Sequence, residues 1–104
     1  MKKIINGKRF DTETAECIKN WDNGCGSRDF NYRIKELYLT KTGNWFIYHE
    51  GGAMTDMAES CGSNSWCGGS NIEPISTEKA FNFLCKYNGE KEAEQYFPDM
   101  IKDA

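Results

Sequence analysis

Five cysteines and a single histidine are the residues best suited to catalysis or metal binding in this chain of 104 residues. A Cys–His pair acts as a nucleophile when the imidazole accepts the thiol proton, and four such side chains together can hold zinc. The odd number of cysteines and the lack of closely spaced Cys-x-x-Cys pairs disfavour a disulfide framework. Reduced, partly buried thiols are therefore expected, and no cofactor is expected.

A zinc site built from Cys17, Cys25, Cys61 and Cys67, with His49 as a further ligand, remains an alternative. The separations of eight and six residues within the two cysteine pairs exceed the roughly two to four residues of common zinc motifs. His49 falls inside a strand pattern, where a structural role is typical. Gly-x-Ser-x-Gly and Walker-type motifs are missing from the sequence as well. We therefore expect neither a metal site nor catalytic residues, and no enzyme.

Charge divides the chain into two unlike halves around a formal net charge of −3. Residues 1–50 contain nine Lys and Arg against seven Asp and Glu, whereas residues 51–104 contain four against nine. A protein that coats nucleic acid needs a basic face, so direct nucleic-acid binding is not expected. The acidic second half is suited to a basic partner, although its glutamates are equally typical of solvated helices.

The stretch from Cys61 to Ser70 has the composition of an adaptable binding loop. Trp66 stands there among glycine, serine and asparagine residues, as rigid aromatic anchors do in such loops. The alternative role for Trp66 is to fold back and cover the core. The sequence alone leaves both roles open.

The first elements that position these residues are a hairpin and a helix. Asn6-Gly7 between two short runs predicts a β-hairpin over residues 4–10, because both residue types accept a positive φ. Apolar residues then recur every three positions and predict a helix over residues 13–22. The buried stripe expected for that helix is Ala15, Ile18 and Trp21.

Strands dominate the middle of the chain. Alternating residues predict a strand from Phe30, in which a change of phase near Lys35-Glu36 indicates either a bulge or burial on both faces. A loop over residues 40–44 and a strand over residues 45–50 complete a second hairpin. Residues 71–75 predict a further strand, at a sheet edge because it contains a proline.

Helices dominate the end of the chain. One or two helical turns are expected within residues 53–60, and the predicted loop over residues 61–70 follows them. Ser76 or Thr77 caps a helix that ends at Asn88-Gly89, and its expected buried residues are Ala80, Phe81, Leu84 and Cys85. A last short helix begins near Glu90 and is broken by Pro98.

These elements predict an α+β fold in which residues 1–104 form one small domain. An antiparallel sheet of hairpins packs against two or three short helices. No apolar run is long enough to cross a membrane, and the N-terminus turns polar too early for a signal peptide. We therefore expect a cytoplasmic protein without membrane contact.

Four segments resemble one family of small proteins from phages, plasmids and other mobile elements of Gram-positive bacteria. The first is the opening Met-Lys-Lys-Ile-Ile-Asn-Gly-Lys-Arg-Phe-Asp-Thr-Glu-Thr-Ala-Glu. The others are residues 36–46, 48–53 and 75–80, so the resemblance extends from Met1 to about Ala80. The five cysteines depart from the usual pattern of that family.

The resemblance implies an anti-CRISPR protein, because similar proteins inhibit type II-A CRISPR effector nucleases. It carries over no catalytic residue and implies a non-enzymatic inhibitor acting by steric and electrostatic blockade in the cytoplasm of the bacterial host. An RNA-guided nuclease has basic channels that an acidic domain can occupy. The partner-binding residues expected on this basis are Asp56, Glu59, Trp66, Glu90, Glu92 and Glu94. The alternative is a mobile-element regulatory or accessory domain that binds DNA or another protein through its basic N-terminal half.

Overall fold

The structure is a computed structural model that describes residues 1–26, 28–62 and 65–101. Within those residues the chain forms eight strands, two α-helices and a final 3₁₀ turn. The strands are β1 (Lys2–Ile5), β2 (Lys8–Asp11), β3 (Glu16–Asp22), β4 (Arg33–Leu39), β5 (Trp45–Gly51), β6 (Glu59–Gly62), β7 (Ser65–Cys67) and β8 (Gly69–Ile75). The helices are α1 (Thr77–Lys86) and α2 (Glu90–Tyr96), followed by the 3₁₀ turn Pro98–Met100. The predicted α+β class is confirmed.

A four-stranded antiparallel sheet in the order β3-β4-β5-β8 forms the centre of the molecule. The helices pack on one face of this sheet, here called the helix face. The β1–β2 hairpin packs on part of the other face, here called the hairpin face. β8 lies at an edge, as expected for a strand that contains Pro74.

The helix predicted over residues 13–22 is wrong, because residues 16–22 form the edge strand β3. The register of β3 against β4 shifts between Cys17 and Lys19, which marks a β-bulge. In a regular strand, residues three positions apart face opposite sides. The extra residue of the bulge lets both Ile18 and Trp21 face the helices: Ile18 packs against the core between sheet and helices, and Trp21 contacts Tyr87. A bulged strand thus reproduced the three-residue spacing of a helix.

The change of phase in β4 comes from burial on both faces. Leu37 is fully buried in the core between the sheet and the helices, here called the helix-side core. Its neighbour Tyr38 is buried in the core between the sheet and the β1–β2 hairpin, here called the hairpin-side core. The pairing of β4 with β5 runs from Arg33 to Leu39 without a register shift. Of the two interpretations of this segment, two-sided burial is therefore the correct one.

The hairpin-side core depends on the turn at Asn6 and Gly7. Their φ angles of 51° and 78° fit a type I′ turn, and the predicted hairpin is confirmed. The turn brings Phe10 onto the sheet, where its ring meets Phe46 edge to face at 5.6 Å between centroids. The ring of Tyr38 stacks on that of Phe46, with 5.1 Å between their centroids.

The predicted helix with its N-cap at Ser76 or Thr77 is confirmed as α1. Ser76 accepts a hydrogen bond from the backbone N–H of Lys79 at 3.2 Å, as an N-cap does. Ala80 and Leu84 are buried as expected, together with Phe83. Phe81 is half-buried, whereas Cys85 is exposed and its expected place in the core is wrong.

Residues 53–60 form turns followed by β6, so the helical turns expected there are wrong. β6 and β7 pair as a small arm, here called the β6–β7 arm, which replaces most of the loop expected over residues 61–70. Residues 63 and 64 of that loop lie outside the described residues. Glycines allow the close approach of the chain at the base of the arm. A Cβ added at Gly68 would lie 2.6 Å from the backbone oxygen of Gly51.

Candidate functional site

The glutamates expected to bind a partner through α2 are only partly brought together. Glu90 and Glu94 are exposed, and both line a groove of about 370 Å³. Its apolar lining includes Phe81 of α1 and Ile101 beyond α2. Glu92 is half-buried and does not line this groove. The groove therefore combines two carboxylates with an apolar floor.

The three other expected residues lie at or beside the β6–β7 arm. Asp56 pairs with Arg33, with 2.8 Å between Oδ1 and Nε, and its carboxyl pKa is lowered by that hydrogen bond. Glu59 is an exposed residue at the start of β6. Trp66 on β7 is 64 % exposed, so its ring does not cover the core.

The six expected residues form two separate groups, because they lie at opposite ends of β5. Trp45 at the start of this strand packs against Tyr96 and Phe97 at the end of α2. Gly51 at its other end lies beside Met57, close to the arm. A strand of seven residues spans roughly 20 Å. One contact surface that includes all six residues would have to extend over most of the sheet.

The pairing of β3, β4 and β5 brings together a second group of acidic residues, which differs from the six residues expected from the sequence. On the hairpin face, Glu36 lies opposite Tyr48 and Asn20, and Glu50 lies opposite Ile34. Asp22 of β3 completes this surface on the far side of Ile34. We call Asp22, Ile34, Glu36, Tyr48 and Glu50 the acidic sheet face.

Tyrosine hydroxyls hold the two central carboxylates of the acidic sheet face. Tyr38 donates a hydrogen bond to Glu36 at 3.1 Å, and Tyr48 donates one to Glu50 at 2.7 Å. Burial and the adjacent carboxylate both raise the phenol pKa of each tyrosine, which reaches about 12 in Tyr48. These hydroxyls therefore stay protonated and donating at neutral pH.

The acidic sheet face leaves its carboxylates unneutralised. Within the residues that the structure describes, neither Glu36 nor Glu50 has a cationic side chain within 4.0 Å. Diagonal neighbours on adjacent strands are about 7–8 Å apart, so the two carboxylates repel each other. A depression of about 350 Å³ beside Glu36 also includes Asp22 and Ile34. The acidic sheet face therefore carries negative charge that no described cationic side chain offsets at close range.

The helix face of the same strands carries a chain of hydrogen bonds through His49. Arg33 Nη2 lies 2.9 Å from His49 Nδ1, and His49 Nε2 lies 2.8 Å from Glu73 Oε1. A guanidinium only donates, so Nδ1 accepts, and the ring proton sits on Nε2 facing Glu73. Both ring nitrogens are thus occupied by Arg33 and Glu73. The Cys–His pair considered from the sequence does not form here.

The basic residues of the first hairpin do not make one patch. Lys3 Nζ is bonded to Asn71 at 2.8 Å, and Lys8 Nζ is 3.4 Å from Asn44, so both side chains turn toward the sheet. Lys2 and Arg9 lie at the alternate positions of the hairpin ladder and are exposed. The positive charge of the first hairpin is therefore divided between its two faces.

Two of the five thiols, those of Cys17 and Cys67, have a pKa above the ordinary value, so a smaller fraction of each is in the reactive thiolate form. Burial and the charge of Glu36 raise the pKa of Cys17, and a hydrogen bond with Cys61 raises that of Cys67. Cys25 and Cys85 are free as well. In residues 1–26, 28–62 and 65–101, no three His, Cys, Asp or Glu side chains converge to hold a metal ion.

Comparison with known proteins adds no family to this geometry. No protein-family model matches the chain, and no curated protein or solved structure matches it either. Among the described residues, no helix is long and apolar enough to span a membrane.

Sequence reasoning missed the acidic sheet face because Glu36 and Glu50 stand in the more basic half of the chain. Glu36 is flanked by Lys35, so a count of charges along the chain cancels the two. A strand sends neighbouring side chains to opposite faces, which separates these charges in space. The signal present in the sequence was the alternation Glu36-Tyr38 and Tyr48-Glu50.

Proposed function

We propose that this chain is an anti-CRISPR protein, a non-enzymatic inhibitor that binds a type II-A CRISPR effector nuclease in the cytoplasm of a bacterial host. The sequence resemblance gives the partner class. The observation that supports binding without chemistry is the acidic sheet face, which carries two half-buried carboxylates without a cationic partner among the described residues, one of them beside a depression of about 350 Å³. Effector nucleases hold guide and target in positively charged channels that such a surface can block.

The acidic sheet face favours association for two physical reasons. Bringing a lysine or arginine of the partner close to Glu36 and Glu50 relieves their mutual repulsion and steers the encounter. The tyrosine hydroxyls also fix both carboxylates before binding, so less side-chain entropy is lost in the complex. The groove beside Glu90 and Glu94 is a second contact candidate, on the helix side of the sheet.

A target-cleavage assay tests this proposal directly. The protein is titrated against a fixed amount of each effector nuclease with its guide, over a panel of type II-A enzymes. Inhibition that saturates near equal stoichiometry and weakens with added salt is the expected result. Cleavage that is unaffected across the panel would refute the assignment of the partner.

Paired substitutions locate the contact surface. Glu36→Gln with Glu50→Gln removes two charges but keeps oxygen acceptors for the tyrosines, and we expect inhibition to weaken roughly tenfold. The matched control is Glu13→Gln with Glu78→Gln, which changes the net charge equally at two exposed positions elsewhere. Equal effects of both pairs would show that only net charge matters and would exclude the acidic sheet face as the contact.

Two further pairs test the residues expected from the sequence. Glu90→Gln with Glu94→Gln probes the α2 groove, and Glu59→Gln with Trp66→Ala probes the arm. Loss of inhibition in one of these pairs, with the sheet-face pair still active, would move the contact surface to that end of the sheet. The stability of each variant is checked by urea unfolding, because a destabilised inhibitor would give the same loss.

A further inference from the structure

A cleft of about 390 Å³ lies between α1 and the helix face of the sheet. Three lysines line it, namely Lys35 of β4 together with Lys79 and Lys86 of α1. Its volume is within the range of small-molecule sites, roughly 300–1,000 Å³. None of the residues of the acidic sheet face lines this cleft, so the inference drawn from it does not depend on the proposed function.

The lysines of the cleft have few anionic partners. Glu73 is the carboxylate of the lining, and its Oε1 accepts the Nε2 proton of His49 while its Oε2 lies 3.9 Å from Lys79 Nζ. Lys35 Nζ is 3.1 Å from the Tyr87 hydroxyl. Within the described residues Lys35 and Lys86 have no carboxylate within 4.0 Å. With His49 neutral, the lining carries a net charge of +2.

Aromatic rings keep two of the lysines in place. The Nζ of Lys35 lies 5.8 Å from the centroid of Trp21 and 5.6 Å from that of Tyr87, and the Nζ of Lys86 lies 5.3 Å from the Tyr87 ring. Burial raises the phenol pKa of Tyr87, but the hydrogen bond and charge of Lys35 outweigh it, so the pKa lies below its ordinary value. At this phenol the positive charge of Lys35 and Lys86 therefore outweighs the effect of burial.

The cleft also has apolar lining residues and one amide side chain beside its lysines. Ile47, Ile75 and Phe83 give an apolar floor, and Asn82 adds an amide that donates or accepts hydrogen bonds. We propose that this cleft binds a small phosphorylated metabolite. Lys35, Lys79 and Lys86 hold its phosphoryl group, and its apolar part lies on the floor.

Titration with adenosine monophosphate at constant ionic strength, followed by the amide shifts in a ¹⁵N-correlated NMR spectrum, tests this proposal. We expect saturable shifts at positions 35, 79, 86 and 87, with weaker shifts for inorganic phosphate, which lacks the apolar part. Lys79→Met and Lys86→Met should each weaken binding roughly tenfold, as for the loss of one charge-assisted hydrogen bond. Lys91→Met, an exposed position on α2, is the matched control.

Three results would overturn the proposal. The first is the absence of saturable shifts in the cleft with either probe. The second is equal weakening in Lys91→Met and Lys86→Met, which would indicate a nonspecific effect of net charge. The third is tighter binding of a single-stranded oligonucleotide than of the mononucleotide, with a steep salt dependence, because the site would then bind a nucleic-acid backbone and not a small metabolite.

Discussion

Replacement of Arg33 by methionine is expected to destabilise the protein far more than replacement of the carboxylate it pairs with. The side chain of Arg33 is 11 % exposed, whereas that of Asp56 is 71 % exposed. Arg33 Nε and Nη2 bind both oxygens of Asp56, at 2.8 and 3.2 Å. The same side chain also donates to the backbone oxygen of Ile34 at 2.8 Å and lies 2.9 Å from His49 Nδ1.

The expected loss of stability in each variant depends on which polar groups remain without a hydrogen-bond partner. Asp56→Asn loses one exposed ion pair, which is worth about 0–1 kcal/mol, and keeps an oxygen acceptor for Arg33. Arg33→Met keeps the apolar stem but leaves the Nδ1 acceptor of His49, a side chain only 14 % exposed, without its donor. An unsatisfied buried acceptor costs about 1–3 kcal/mol. We therefore expect a loss of about 1–4 kcal/mol for Arg33→Met, which loses both contributions, and at most about 1 kcal/mol for Asp56→Asn.

Urea unfolding at neutral pH measures both losses, with unchanged m-values as the sign that the unfolding transition is still the same. The ring tautomer of His49 gives a second readout by ¹⁵N NMR. It should stay with the proton on Nε2 in Asp56→Asn and become mixed in Arg33→Met. Equal losses in the two variants, or a loss below about 1 kcal/mol for Arg33→Met, would refute the reasoning that the buried contacts of Arg33 matter most.

Two shorter predictions concern the backbone and the phenols. Gly52→Ala should destabilise the protein by more than about 1 kcal/mol, because its Cβ would lie 2.5 Å from the backbone oxygen of Phe30, whereas Gly26→Ala meets nothing within 4 Å and should be nearly neutral by thermal unfolding. Burial and the hydrogen bond to Glu50 raise the pKa of Tyr48 from 10.0 to about 12, so its contribution to stability is complete below pH 10 and is lost as the pH rises through 12. In urea unfolding this decline should be smaller in Tyr48→Phe; an unchanged decline would contradict the assignment.

Much of the fold is predictable where local chemistry decides the structure. The turn at Asn6 and Gly7 and the N-cap at Ser76 depend on φ preferences and one hydrogen bond, so their residue types suffice. β3 is not predictable in this way, because Ile18 and Trp21 show a helical spacing and only pairing with β4 makes them a strand. Tertiary context overrides local preference there.

The candidate surfaces were harder to predict than the elements. Glu36 and Lys35 are neighbours in sequence, yet Glu36 belongs to the acidic sheet face and Lys35 lines the cleft between α1 and the helix face. Their separation depends on the register of three strands, and no local pattern encodes it. The glutamates chosen from composition were instead placed by α2 and by the arm, at opposite ends of the sheet.

The arm between β5 and β8 has a consequence for how freely this protein can be altered. The ladder joining these strands runs to the pair Gly51 and Gly69, so the excursion leaves and re-enters the sheet at adjacent positions. A segment whose ends already meet can change its length at little entropic cost to the rest of the chain. In the part of the chain that the structure describes, β6 and β7 supply no residue to either core, so substitutions within these two strands should leave the packing of both cores intact.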